Sequence, residues 1–143
     1  MSDFDLDRFT PYRLAMIAQK VSRGFERRYR KHFGISIPEW RIIAHLSQAS
    51  EISIRDLQDR VGLDKSQVSR ATARLERAGI VSKRTSDTDK RLLSLSLTGK
   101  GRGMMEDLTP LALDYEADLL GALTKADQAA LDRALTLLAE RLK

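Results

Sequence analysis

The chain has 143 residues, with 25 Lys and Arg against 20 Asp and Glu for a formal net charge of +5, a length that suits one unit with a real hydrophobic core. It has no cysteine, which excludes disulfides, thiolate metal sites and thiol redox switching. No apolar run approaches the roughly 18 residues needed to span a bilayer, and the acidic opening Asp3-Phe4-Asp5-Leu6-Asp7 is unlike a secretory signal, so a cytoplasmic location is expected.

A first helix is expected from Thr10-Pro11, a capping residue followed by proline at the first helical position. Leu14, Ile17, Val21, Phe25 and Tyr29 then recur at helical spacing. So early a stripe has little chain before it and must meet later segments or another copy. Arg23, Glu26, Arg27, Arg28, Arg30 and Lys31 read as a solvated face. Ser36 with Glu39 is a capping box opening a second helix with Trp40, Ile43 and Leu46 inward. Trp40, the single tryptophan, either packs in the core with its indole N–H bonded or walls a ligand pocket. His32 and His45 lack acidic or histidine neighbours at helical spacing, and no metal site or cofactor is expected.

Residues 53–91 hold two short helical patterns, a tight turn at Gly62-Leu63 and a basic hairpin. Ser53 with Asp56 and Asp64 with Gln67 are cap pairs. Ile54, Leu57 and Val61 form one inward stripe; Val68, Ala71, Leu75 and Ala78 form the next. Gly62 and Gly79 stand where a left-handed residue closes each helix. Two short helices joined by a glycine turn read as helix-turn-helix. On the second, Ser66, Ser69, Arg70, Ala73 and Arg77 point away from the apolar stripe, flanked by Gln67 and Arg74. Such residues suit a major groove: arginine forks onto guanine or phosphate, serine donates or accepts, and alanine meets a thymine methyl. A solvated basic face on an ordinary helix is the plainer alternative.

After Gly79, Ile80-Val81-Ser82-Lys83-Arg84 leads through a Ser, Thr and Asp loop to an alternating run. In that run Leu93, Leu95 and Leu97 fall on one face and Ser94 and Ser96 on the other. Lys83, Arg84, Lys90 and Arg91 rim this hairpin. Helix-turn-helix plus basic hairpin is a winged helix, with the helix for the major groove and the wing for the minor groove or backbone. Thr98 caps a further helix carrying Met104, Met105, Leu108, Leu111, Tyr115, Leu119 and Leu123, with a kink or break expected at Pro110. Thr124 with Asp127 restarts a last helix carrying Leu131, Ala134, Leu135, Leu138 and Leu142. The outer helices have more apolar face than a small winged helix covers, which implies a homodimer with interleaved termini.

Enzyme motifs are absent. Gly99-Lys100-Gly101-Arg102-Gly103 invites a phosphate-loop reading, but Ser94 replaces the first glycine and no Ser or Thr follows Lys100. Asp114 and Asp118 share a helix face without histidines or a second carboxylate helix, so no catalytic residue is assigned. Charge is uneven: residues 8–41 carry nine Lys and Arg against two Glu, and residues 104–143 carry four against eight acidic residues. A basic front with an acidic tail suggests a polyanion touching one side.

The ordered set Leu75-Glu76-Arg77-Ala78-Gly79, Asp89-Lys90-Arg91 and Leu97-Thr98 with Gly101 resembles the multiple antibiotic resistance regulator (MarR) family of bacterial transcription factors. The resemblance implies a mainly α fold with a small β-hairpin wing, a single unit over 1–143 with a winged helix-turn-helix at 36–97 and dimerisation helices at 10–33 and 98–143. It implies a dimeric, sequence-specific regulator of double-stranded DNA, a repressor, reading a palindromic operator. Ser66, Gln67, Ser69, Arg70, Ala73 and Arg77 would face the major groove, Lys65 and Arg74 the phosphates, and Arg84 and Lys90 the wing's side. Arg91 would enter the minor groove, steadied by Asp89. Without cysteine, the thiol-sensing branch is excluded. The other branch implies a small aromatic carboxylate effector, for which Tyr29 and Trp40 would supply flat surface and Arg13, Arg23, Arg27 or Arg41 a carboxylate partner. A protein interaction module and an unselective architectural DNA binder remain as alternatives.

Overall fold

In the computed structural model, which describes residues 3–85 and 93–143, a 3-10 turn Leu6–Arg8 leads into α1, Thr10–Phe33. Phe9, not Thr10, is the N-cap, and no side chain caps this end. The helix starts one residue earlier than the Thr10-Pro11 pattern suggests, with Arg13 N donating to Phe9 O at 3.1 Å. Gly34, at φ 65°, closes the helix with its N–H on Arg30 O at 2.9 Å. Phe25 and Tyr29 are buried, whereas Leu14 and Ile17 on the same stripe are exposed, Ile17 by 58 %.

α2, Ile37–Ser47, is the pillar of the core. It packs against α1, α3, α4 and β3, so adjacent Ile42 and Ile43 are both fully buried, together with Leu46. A helix surrounded on several sides needs apolar residues beyond one stripe, and so Ile42 is core although it lies off the expected face. Trp40 is only half-buried. α3, Ile54–Arg60, and α4, Lys65–Arg77, follow with Ser53 and Asp64 as caps. Between them Gly62 sits at φ 69°, and Gly79 after α4 at φ 75°. In that region a side chain would be strained.

Three antiparallel strands in the order β1-β3-β2 complete the winged helix: β1 Ile52–Ser53, β2 Val81–Thr85 and β3 Leu93–Leu97. Val81 pairs with Leu97 and Thr85 with Leu93, while Ile52 pairs with Leu95. Ile52, Val81, Leu95 and Leu97 are buried. The strand's alternation holds only at its inner end. Leu93, opposite Thr85 at the outer end, is exposed, and Ser94, between Ser53 and Arg84, is buried with its hydroxyl donating to Arg84 O at 3.4 Å.

α5 runs from Gly99 to Leu120 and passes through Pro110 without the expected break. Proline removes one N–H from a 22-residue helix whose turns on either side are intact. Contacts divide the chain into two units, Met1–Thr109 and Pro110–Lys143. In the second, α6, Lys125–Arg141, begins at the Thr124 cap, whose hydroxyl accepts from Asp127 N at 3.1 Å. The Gln128 amide closes the preceding turn by donating to Leu120 O at 2.9 Å and Leu123 O at 3.3 Å. Leu131, Leu135 and Leu138 of α6 are exposed, with Leu135 at 52 %, as is Leu142 just after it.

Candidate nucleic-acid interface

α4 has two unlike faces. Val68, Ala71, Thr72 and Leu75 are buried against the body, while Ser66, Ser69, Arg70, Arg74 and Arg77 are exposed and Gln67 and Ala73 half-buried. Ala78 was expected on the inward stripe but is exposed, because the helix ends there and the chain turns at Gly79. Thr72 takes an inward place that periodicity did not assign to it.

The Asp64 carboxylate fixes the exposed N-terminal end of α4. Its Oδ1 accepts from Gln67 N at 2.8 Å and from the Ser66 hydroxyl at 2.7 Å. These bonds hold the carboxyl below its ordinary range, the backbone N–H of Gln67 contributing most and the Ser66 hydroxyl next. Ser66 has thus spent its proton on the cap and presents acceptor lone pairs outward. Lys65 is exposed beside it. Arg70 is exposed on the same face, and its charge adds to what holds the Asp64 carboxyl down. Arg77 Nε donates to Ala73 O at 3.4 Å, which lays its stem along the helix.

Arg74 reaches inward as well. Its Nε donates to Glu39 Oε1 at 3.0 Å, and the same oxygen accepts from the Ser36 hydroxyl at 3.0 Å. Glu39 therefore does more than close a capping box: it ties the start of α2 to the outer face of α4. The Arg74 side chain is still 46 % exposed, leaving its other guanidinium nitrogens accessible. In β2, Arg84 pairs with Glu51 at 3.0 Å and Lys83 with Glu76 at 3.9 Å. These pairs anchor the strand to the body, a contact that a charge count could not assign. Asp89, Lys90 and Arg91 lie outside the described residues.

The MarR family model matches residues 33–92. A MarR/EmrR family transcriptional regulator from Acinetobacter sp. ADP1 is 32 % identical, over 97 % of this chain and 98 % of that one, with a TM-score of 0.86. The chain belongs to the MarR family of transcriptional regulators. The uncharacterized HTH-type transcriptional regulator YdgJ of Bacillus subtilis is 38 % identical over 73 residues, 51 % of this chain and 44 % of that protein. The chain thus spans a little under half the length of the curated relatives it matches. BpsR of Bordetella bronchiseptica, whose DNA binding is regulated by 6-hydroxynicotinic acid, shares the fold at a TM-score of 0.85 and 17 % identity, over 96 % of this chain and 98 % of that one.

In this MarR-family chain the six effector candidates do not converge. Arg23 and Arg41 line a cavity of about 340 Å³ together with Ala18, Gln19, Ser22, Ile37 and Leu63. Arg41 also donates from Nη1 to Val61 O at 3.3 Å. Arg13 and Arg27 are exposed on α1 and do not line that cavity. Tyr29 and Trp40 pack with Phe25 in an aromatic cluster, with Phe25 edge-on to Tyr29 at 4.9 Å and to Trp40 at 5.0 Å. Tyr29 is 1 % exposed, and its hydroxyl has no hydrogen-bond partner among the described residues. Burial, with the Glu26 carboxylate adding to it, pushes this phenol well above its ordinary range. No helix among the described residues is long and apolar enough to cross a membrane, and none of their acidic or histidine side chains group as a metal site.

Proposed function

We propose that the chain is a sequence-specific, dimeric DNA-binding regulator, a repressor that acts in the cytoplasm and is released by a small aromatic carboxylate. The observation that carries the reading is the outer face of α4. Ser66, Gln67, Ser69, Arg70, Ala73 and Arg77 stand on one side of a helix whose other side is core, and the Asp64 cap fixes the leading end. Arg70 is the first choice for a guanine edge, since a bidentate contact needs a guanidinium not already committed. Lys65 and the accessible nitrogens of Arg74 suit phosphates, and the wing residues Arg84, Lys90 and Arg91, with Asp89 steadying Arg91, suit the flank. The Arg84 pair with Glu51 has to loosen for that residue to reach DNA.

Two α4 helices related by a twofold would read half-sites about one helical turn apart. The exposed leucines of α6 and the exposed start of the α1 stripe support the dimer, because lone monomers rarely leave such surface uncovered. Residues 10–33 and 98–143 would serve this association within one functional unit over 1–143, with 36–97 as the DNA-binding region. The two arginines of the Arg23 and Arg41 cavity support an anionic effector, and the acid that regulates the DNA binding of BpsR, 6-hydroxynicotinic acid, carries such a charge on an aromatic ring. A ligand preferring the released state by about 2.7 kcal/mol weakens DNA binding 100-fold.

The test is band-shift titration of a duplex that the protein selects from a random pool, beginning with sequence upstream of its own gene. Arg70→Ala loses about 10- to 100-fold affinity and relaxes the preference at one base pair; Arg74→Ala weakens all duplexes and lowers the salt slope by about one. Equal affinity of both variants and the parent at about 0.15 M salt would refute the assignment. A panel of aromatic carboxylates, followed by Trp40 fluorescence and DNA release, tests the effector separately.

A further inference from the structure

The glycine- and lysine-rich run at 99–103 has no phosphate-loop pattern, yet its first residues are bonded across to α4. A helix leaves its last carbonyls unpaired. In α4 the carbonyls of Arg74, Leu75 and Glu76 accept from the N–H groups of Ala78, Ile80 and Gly79. The three carbonyls that follow, of Ala78, Gly79 and Ile80, are taken up by Thr98 and Lys100. Lys100 Nζ donates to Ala78 O at 2.8 Å. The Thr98 hydroxyl lies 2.6 Å from Gly79 O and 3.1 Å from Ile80 O, and having one proton it serves the nearer. Thr98 N donates to Ile80 O at 3.0 Å, while Thr98 Oγ1 accepts from Gly101 N at 3.1 Å and so caps α5. Gly101 lies against the Ile80 carbonyl so closely that a Cβ there would overlap the oxygen. Three successive carbonyls just past α4 are therefore held by Thr98, which caps α5, and by Lys100 in its first turn.

We propose that Thr98, Lys100 and Gly101 form a clamp by which α5 sets the tilt of α4 against DNA. Thr98 and Lys100 are positioning residues, and Gly101 permits the close approach. This rests on the reading of α4 as the groove-entering helix. A 13-residue helix is about 20 Å long, so a tilt of roughly 5° about its middle displaces its ends by about 1 Å. A shift of that size is enough to lose a hydrogen bond to a base edge. Contacts to phosphate, borne on long flexible side chains, tolerate it better.

The experiment compares Thr98→Val, Thr98→Ser and Lys100→Met, each checked for an unchanged circular dichroism spectrum. Binding is measured to the duplex selected by the parent protein and to random duplex. Thr98→Val and Lys100→Met should lose about tenfold on the selected duplex, with random duplex within twofold and its salt slope unchanged; Thr98→Ser should behave as the parent. If Lys100→Met loses affinity equally on both duplexes and lowers the slope by about one, Lys100 is a phosphate contact and the clamp is overturned. Amide hydrogen exchange at residues 78–80 without DNA is the independent arm. It should quicken in Thr98→Val and return in Thr98→Ser; no change in Thr98→Val overturns the proposal even where the parent binds DNA. Quickened exchange in Thr98→Val, where the parent selects no duplex, keeps the clamp and removes the DNA reading.

Discussion

Thr72 stands on the core face of α4 with 3 % of its surface exposed, and its hydroxyl has no hydrogen-bond partner among the described residues. Thr72→Val replaces that hydroxyl by a methyl of nearly the same shape. Both residues are β-branched with similar helix propensity, so backbone terms cancel. A buried hydroxyl without a partner costs about 1–3 kcal/mol in proteins, and its removal should stabilise the fold by about 1–2 kcal/mol. For a chain of this length the unfolding entropy is about 0.3 kcal/mol per kelvin, so Tm should rise by about 3–7 °C. Urea titration at fixed protein concentration, followed by circular dichroism, should show a higher midpoint with the same slope. Thr72→Ala, which also deletes the methyl, should be destabilised. DNA affinity should not change, since the residue faces inward. A loss of more than about 0.5 kcal/mol in Thr72→Val would mean that the hydroxyl is bonded in solution and would refute the reasoning.

Tyr29 gives a pH prediction. Its buried phenol is raised above its ordinary range, so the unfolded chain ionises first as pH rises above about 10 and stability falls by at most about 1.4 kcal/mol per pH unit. Tyr29→Phe should lack this extra alkaline slope, as read by denaturant midpoints between pH 8 and 11. Leu57, fully buried in α3, should cost about 2–5 kcal/mol on change to alanine, measured by urea titration. Leu135→Glu with Leu138→Glu, both at exposed positions, should leave the helical content intact and lower the sedimenting mass to that of a monomer if α6 joins two copies.

Much of this architecture was legible because it rests on local chemistry. Ser36, Ser53, Asp64, Thr98 and Thr124 each accept from an amide of the helix that follows, and Gly62 and Gly79 have the positive φ that their place demanded. What escaped was decided by tertiary partners. β1 is two residues long, too short to alternate, and exists because β3 has a free edge beside Ile52. The inward Thr72 and Ile42 depend on how many neighbours surround their helices. The ion pairs of Arg74 with Glu39 and Arg84 with Glu51 span 35 and 33 residues, and spacing along the chain says nothing about them. The close approach of Gly101 to the Ile80 carbonyl likewise depends on a partner that spacing along the chain does not reveal.

The central claim is that the outer face of α4 reads DNA sequence. Its most direct measurement is equilibrium binding of the parent and Arg70→Ala to the selected duplex and to random duplex, over about 0.05–0.3 M salt. The account predicts a parent that prefers the selected duplex by about a thousandfold or more, with affinity falling steeply with salt on both duplexes, and an Arg70→Ala protein whose preference drops by about 10- to 100-fold. A parent that binds both duplexes equally, or an Arg70→Ala protein that keeps the full preference, would contradict it.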